Sequence, residues 1–92
     1  MRIELASVAV PINGRDRGKR FLVIAAEEEY SLLADGKGRK AEKPKRKKNK
    51  HIKPESVIGG QIAQKISSGG KPTNNEIRRA LAEYSAAREG PQ

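Results

Sequence analysis

The N-terminal part of the chain carries short stretches in which apolar and polar residues alternate. Ile3 and Leu5 form one stretch, and the apolar positions within 8–12 form a second that is shifted by one residue. Alternation with a period of two is typical of β-strands, and the shift predicts a bulge or bend near residues 6–7. Pro11 predicts an edge position or the end of this strand, because proline cannot donate a hydrogen bond to a neighbouring strand.

The following residues predict a loop, a buried strand and a turn. Residues 13–18 are dense in glycine, asparagine and aspartate, which favour a loop. Residues 21–24 are apolar without interruption, so this strand is expected to be buried on both faces and central in its sheet. The glutamates at 27–29 are polar enough to form a turn.

A third strand and a hairpin complete the β pattern. Tyr30 to Ala34 predicts a short strand, and Asp35 followed by Gly36 is a strong hairpin signal that leads into a fourth strand around 38–41. Several short strands with tight turns favour a small antiparallel barrel, since closure protects the edges of so small a sheet. The predicted fold class is therefore mainly β, a barrel of about five short antiparallel strands followed by two short α-helices.

The period changes to a helical one after Pro54. Val57, Ile58, Ile62 and Ile66 follow the spacing of a helix, with a kink or close packing expected at the glycine pair 59–60. The sequence at 67–70, two serines and two glycines, predicts the end of this helix.

A second helix is the most strongly indicated element. Thr73 and Glu76 have the spacing of a capping box. One apolar stripe follows, formed by Ile77, Ala80, Leu81 and Tyr84, and we expect it to pack against the barrel or the first helix; a docking face for a protein partner is the alternative. Arg78 and Arg79 lie off the stripe, where they offer weak RNA contacts. The predicted division is a barrel at 1–53 with a basic loop at 37–53, a helical extension at 54–87 and a frayed tail at 88–92.

The net charge of +9 resides entirely in residues 37–53. This segment holds ten of the twenty Lys and Arg residues and one acid, Glu42, whereas the rest of the chain is balanced. Such a charge favours nucleic acid or an anionic membrane as partner, and a membrane is disfavoured because no large apolar anchors accompany the run. Like charges repel, so much of 43–50 is expected to be mobile in the free protein.

The composition disfavours several other functions. There is no cysteine, hence no disulfide or thiolate zinc site, and a cytoplasmic location is expected. Only three aromatic residues are present, too few for a base-stacking platform of the usual kind. His51 is the single histidine, and no carboxylate pair, catalytic triad, metal-ligand cluster or nucleotide-binding loop has usable spacing. We therefore expect no enzymatic activity, metal, cofactor or small-molecule substrate.

Residues 8–24 resemble a KOW motif, in which a basic glycine loop joins two apolar strands. Gly18 stands at the place of the fixed glycine, with Arg15, Asp16 and Arg17 before it and Lys19 after it. The resemblance is to KOW proteins of the eukaryotic and archaeal-type large ribosomal subunit and to the small bacterial KOW-domain RNA-binding proteins related to them. It extends over about 3–53, and with the bacterial group over 73–81. It implies an SH3-like barrel that binds structured RNA, above all ribosomal RNA, with a ribosome-associated location and ribosomal proteins as further partners.

The candidate RNA-binding residues lie in two segments. Gly14 and Gly18 permit a positive φ in the loop, and arginine forks suit phosphate. Asp16 is expected to orient a neighbouring arginine or to cap the loop. Six cations of the second segment predict a log–log salt slope of about −4 to −5: Lys43, Lys45, Arg46, Lys47, Lys48 and Lys50. The full candidate set is Arg15, Arg17, Lys19, Arg20, Lys37, Arg39, Lys40, Lys43, Lys45, Arg46, Lys47, Lys48, Lys50, His51 and Lys53.

Two alternatives to a dedicated RNA-binding module remain open at this point. The first is a protein-interaction adaptor of the transcription or ribosome-assembly machinery, whose basic segment has only nonspecific affinity for nucleic acid. The second is a nuclear-localisation signal at 44–50. The two basic segments are expected to lie on one surface if the protein binds RNA through both.

Overall fold

Five strands, one 3₁₀ turn and two helices make up the computed structural model, which describes residues 2–89. The strands are β1 (Ser7–Pro11), β2 (Phe21–Ala26), β3 (Tyr30–Ala34), β4 (Lys45–Lys48) and β5 (Ile52–Val57). The 3₁₀ turn spans Asn49–His51, and the helices are α1 (Gly60–Ser67) and α2 (Asn74–Glu89).

The strands form one antiparallel sheet in the order β4-β3-β2-β1-β5, which curls into a half-barrel. β1 pairs with both β2 and β5, so the first and last strands of the chain lie side by side. The predicted fold class, a small mainly β domain of five antiparallel strands followed by two helices, is confirmed.

Apolar side chains cover both faces of this sheet. The barrel cluster is built from the strands and the N-terminal segment: Ile3, Ala9, Phe21, Val23, Leu33 and Ile52. The helix cluster lies on the other face and joins strand residues to both helices: Ala6, Val8, Leu22, Ala34, Ala41, Ile66, Ile77 and Leu81. This explains why β2 is apolar without interruption: Phe21 and Val23 enter the barrel cluster, whereas Leu22 between them enters the helix cluster. Because the helices complete one of the two cores, they belong to the same folded unit as the sheet.

The chain bends before β1, as the phase shift predicted. Ala6 adopts a φ of 63°, and the pairing of β1 with β5 shifts register between Val8 and Ala9. Ile3 lies before the strand but is still buried in the barrel cluster. Pro11 is the last residue of β1, which confirms the strand end and not the edge position, because β1 lies between two other strands.

The predicted fourth strand at 38–41 is wrong. The amides of Asp35 and Gly36 both donate to the carbonyl of Arg39, and Asp35 Oδ1 accepts from the amides of Lys37 and Arg39. The chain therefore closes a turn on itself and does not run back along β3. Ala41 is then buried, and its amide donates to Asn74 Oδ1 at 2.7 Å, which attaches the loop to the start of α2.

The segment 43–50, expected to be mobile, is instead folded: β4 occupies half of it, and the 3₁₀ turn begins directly after β4. Residues 45–48 pair with β3 from Leu33 opposite Lys45 to Tyr30 opposite Lys48. Asn49 anchors the end of the strand. Its side chain is buried, and the side-chain Oδ1 accepts a hydrogen bond from Ser31 Oγ at 2.6 Å. Its backbone N–H donates to the Glu29 carbonyl at 2.9 Å. Backbone pairing and this buried anchor hold the like charges in place.

The first helix begins later than its apolar spacing suggested. Val57 ends β5 and Ile58 is not helical, so the glycine pair marks the start of α1 and not a kink within it. The sheet consequently extends to Val57, four residues beyond the predicted barrel boundary at 53. The predicted end is correct: α1 ends at Ser67, Ser68 is its C-cap, and Gly69 follows at a φ of 88°.

The capping box and apolar stripe of α2 are both confirmed. Glu76 N donates to Thr73 Oγ1 at 3.1 Å, and Thr73 N donates to Glu76 Oε1 at 2.9 Å. Ile77 and Leu81 are buried in the helix cluster, against which Tyr84 also packs. Arg88 is helical, contrary to the predicted frayed tail, and 90–92 lie outside the described residues.

Candidate nucleic-acid interface

The loop between β1 and β2 is a closed, glycine-dependent structure. Gly18 N donates to the carbonyl of Pro11 at 3.1 Å, and Arg17 N donates to the carbonyl of Gly14 at 3.3 Å. Both glycines have a φ near 84°, in the left-handed region that other residues rarely adopt. The positive φ expected at these two glycines is confirmed. Arg15 and Arg17 project from the loop and are exposed.

Asp16 lies at the centre of the basic residues. Its carboxylate accepts a hydrogen bond from Lys45 Nζ at 2.9 Å and lies 3.4 Å from Arg39 NH2 and 3.7 Å from Lys19 Nζ. Only 14% of its side chain is exposed. The hydrogen bond from Lys45, followed by the charges of Lys45, Arg39 and Lys19, holds the pKa of Asp16 below its ordinary value. Asp16 therefore orients basic side chains, as predicted, but its principal partner is a lysine of β4.

Lys47 makes a second connection between the loop and β4. Its Nζ donates to the carbonyl of Asn13 at 3.3 Å, and a Cβ added to Gly14 would lie 3.3 Å from the same Nζ. Lys45 and Lys47 point to the same side of β4, because side chains alternate along a strand. We define the loop–strand surface as Arg15, Arg17, Lys19, Arg39, Lys45 and Lys47. The structure thus brings the two predicted basic segments together.

The other two cations of β4 lie on the opposite face of the strand. Arg46 packs over the ring of Tyr30, with its guanidinium carbon 3.6 Å from the ring centroid. Its Nε and NH2 donate to Glu27 Oε1 at 3.0 and 2.9 Å, and this hydrogen bonding raises the pKa of Arg46. Lys48 lies two residues later in β4 and pairs with Tyr30 of β3. The prediction of one surface therefore applies to Lys45 and Lys47 but not to Arg46 and Lys48.

Arg20 belongs to a contact between the sheet and α2. Its Nε donates to Glu55 Oε1 at 3.0 Å, its NH1 donates to Ser85 Oγ at 3.0 Å, and its guanidinium lies 5.5 Å from the Tyr84 ring centroid. Only 26% of the side chain is exposed. This geometry gives Arg20 a structural role, joining β2, β5 and α2, although the sequence placed it with the RNA-binding residues.

The remaining candidates are distributed over several elements and do not form one cluster. Lys40 and Lys43 are exposed in the loop before β4, Lys50 is exposed in the 3₁₀ turn, and Lys53 is exposed on β5. His51 is half-buried, and its carbonyl accepts a hydrogen bond from Ile12 N at 3.0 Å.

A basic groove adjoins the loop–strand surface and brings α2 to it. The groove has a volume of about 340 Å³, and its charged lining residues are Lys19, Arg20, Lys37, Arg78 and Asp35. Arg78 NH1 donates to the Gly36 carbonyl at 2.6 Å, so the helix is fastened to the turn that leads into the basic segment. Gly36 has a φ of 77°, and a Cβ there would overlap the Asn74 carbonyl and lie 2.9 Å from Arg78 Cγ. Apart from the hairpin signal at Gly36, nothing in the sequence indicates this close approach.

Across residues 2–89 no three His, Asp or Glu side chains lie near enough together to hold a metal ion. In the same part of the chain, no helix is long and apolar enough to span a bilayer.

A scan against models of known protein families finds no match to this chain, and a search of curated proteins finds no significant relative.

Proposed function

We propose that this protein binds structured RNA through the loop–strand surface, mainly by contacts to phosphates. The observation that carries the proposal is the attachment of the 13–19 loop to β4 through Asp16 and Lys45. Because of this contact, basic residues from two distant parts of the sequence occupy one face, with three cations around the Asp16 carboxylate and Lys47 bound to the loop backbone beside them.

The charges on this surface differ in how far they are compensated within the protein. Lys45 and Arg39 are paired with Asp16, whereas Arg15 and Arg17 form no ion pair with any described residue and are exposed. A phosphate therefore gains most from the two arginines, whose planar forks match two of its oxygens. Lys45 and Asp16 serve chiefly to fix the loop, which reduces the ordering cost on binding.

The loop–strand surface is suited to binding the phosphate backbone of RNA and not to reading a base sequence. Phosphate contacts give affinity and register but little sequence information, and double-stranded RNA is recognised mostly by shape and phosphate position. The groove beside Lys19, Lys37 and Arg78 offers a further position for a phosphate at the edge of the surface. Large-subunit ribosomal RNA is the target that the KOW resemblance implies, and we include it in the proposal.

Co-sedimentation with ribosomal subunits at low and high salt tests this function. The proposal expects the protein in the large-subunit fraction at low salt and its release as salt rises, because counterion release drives phosphate binding. Absence from every ribosomal fraction, with no RNA recovered after crosslinking in cells, would contradict the proposal.

Charge reversal separates RNA binding from an adaptor role. Changing Arg15, Arg17 and Lys19 to Glu is expected to abolish the complex if phosphate contacts hold it. A complex that survives this change with its affinity unaltered would favour the adaptor alternative and overturn the present proposal.

A further inference from the structure

Arg46 and Tyr30 form a flat, layered pair on the outer face of the β3–β4 hairpin. The guanidinium carbon lies 3.6 Å from the centroid of the Tyr30 ring, within the contact distance of a stacked cation–π pair. Glu27 holds the guanidinium in this plane, since one carboxylate oxygen accepts from both Nε and NH2. The Arg46 guanidinium is therefore held on one face by the Tyr30 ring and along one edge by the Glu27 carboxylate.

The contacts with Tyr30 and Glu27 limit how the Arg46 guanidinium can bind a further group. The Nε–NH2 edge, one of the two edges through which a guanidinium can bind a phosphate bidentately, is already used by Glu27. The Glu27 carboxylate also compensates the positive charge of Arg46. Yet 54% of the side chain is exposed, and Tyr30 covers only one face of the guanidinium, so the opposite face is not covered by the ring. A planar partner can still stack on that face.

A shallow groove lies directly beside the pair. It has a volume of about 280 Å³ and is lined by Glu29, Tyr30, Lys48 and Lys50, which is close to the lower end of pockets that hold small ligands, roughly 300–1,000 Å³. Lys48 is the cross-strand neighbour of Tyr30. Two lysines beside a stacked arginine supply positive charge for the phosphates that flank a single nucleotide.

We propose that the Arg46–Tyr30 pair is a stacking site for one unpaired RNA nucleobase, with Lys48 and Lys50 on the adjoining phosphates. The inference rests on the proposed RNA-binding function and refines its ligand to RNA that carries a bulged or looped-out nucleotide. Unpaired bases stack on guanidinium planes as well as on aromatic rings. The low aromatic content of the sequence does not oppose such a site, because arginine supplies the exposed plane.

The test compares two RNA hairpins with the same stem, one fully paired and one with a single 2-aminopurine bulge. Wild-type protein is expected to bind the bulged hairpin at least about 5-fold more tightly, the lower end of what one stacked base contributes. The 2-aminopurine fluorescence should be quenched on binding, because the base then stacks.

The decisive variant is Arg46→Lys, which keeps the charge and removes the plane. It should abolish both the preference for the bulge and the quenching while leaving the affinity for the paired hairpin within about 2-fold of wild type. Arg39→Lys is the matched control, since it makes the same chemical change on the loop–strand surface, and it should retain preference and quenching.

The outcomes separate this inference from the function on which it rests. If wild-type protein binds both hairpins in a salt-dependent way but equally well, or if Arg46→Lys retains the quenching, the stacking site is refuted and RNA binding stands. If wild-type protein binds neither hairpin at low salt, the proposed function itself fails.

Discussion

Lys45 Nζ donates a hydrogen bond of 2.9 Å to Asp16 Oδ2 across 29 positions of sequence. The contact joins the loop after β1 to the first residue of β4, and each residue belongs to a segment that is basic in its own right. Without a carboxylate between them, these cations would repel each other at short range. Asp16 thus makes it possible for two basic segments to occupy one surface.

Replacing Asp16 by Asn tests this structural role. At pH 7 we expect Asp16→Asn to lower the free energy of unfolding by about 1 kcal/mol, because a partly buried charged hydrogen bond is lost and three cations lose their counter-charge. Urea denaturation measures the change. Glu83→Gln is the matched control, since Glu83 is exposed and makes no ion pair with a described residue, and it should change stability by less than about 0.5 kcal/mol. Equal effects of the two variants would contradict the role given to Asp16.

The stability of the protein is expected to depend on pH through its carboxylates. The hydrogen bond from Lys45 lowers the pKa of Asp16 from its ordinary 3.8, and the Thr73 amide lowers that of Glu76 from 4.5. A carboxyl whose pKa is lower in the folded state stabilises that state above the ordinary pKa, and this contribution is lost as pH falls through the folded value. Unfolding free energy should therefore be nearly constant from pH 7 to about 5 and should fall below about pH 4.5. The gap between wild type and Asp16→Asn should close over the same acid range, and a gap that is unchanged at pH 3 would contradict this assignment.

Gly36 is expected to be essential for the docking of α2. Gly36→Ala places a methyl group against the Asn74 carbonyl at a backbone φ of 77°, so we expect a loss of at least about 2 kcal/mol. The melting temperature should fall by about 8 °C or more in a domain of this size. Gly38→Ala is the control, because a Cβ there meets no atom within 4 Å. Similar melting temperatures for the two variants would show that the close approach is unimportant.

The buried pair Ser31 and Asn49 is expected to hold the end of β4 in place. Asn49→Ala removes the acceptor of the 2.6 Å bond from Ser31 Oγ and the donor to the Glu28 carbonyl, and leaves buried polar groups unpaired, which costs about 2–3 kcal/mol. In a double-mutant cycle with Ser31→Ala, the double variant should be more stable than the sum of the single losses predicts, by about 1 kcal/mol. Strict additivity, measured by urea denaturation, would rule out the coupling.

Elements whose pattern is local were predictable from the sequence. Tyr30–Ala34 is β3 with the predicted limits, and the capping box at Thr73 and Glu76 forms as expected. β4 was not predictable, because Lys45–Lys48 has no apolar alternation. Its strand conformation comes from pairing with β3 and from the buried Asn49, both of which are tertiary effects.

The candidate site was predictable in outline and not in its details. The sequence indicated the two basic segments and the orienting role of Asp16, since both depend on composition and loop chemistry. It could not indicate which face of β4 each cation occupies, because the face depends on register. The incorporation of Arg20 into a contact with Glu55 and Ser85 depends on how α2 packs, for which no local signal exists.

The salt dependence of RNA binding tests the central claim, that the loop and β4 form one phosphate-binding surface. Each phosphate contact that is lost should reduce the slope of log K against log salt by about 0.7–0.9. The comparison uses the paired RNA hairpin, with wild-type protein, the double variant Arg15→Gln and Arg17→Gln, and Arg2→Gln as control. Arg2 precedes β1 and lies beside Ser7 and Val57, whereas the loop follows the other end of the strand at Pro11. We predict that the double variant loses about 1.4–1.8 from the magnitude of the slope while Arg2→Gln leaves it unchanged; equal slopes for all three proteins would contradict the claim.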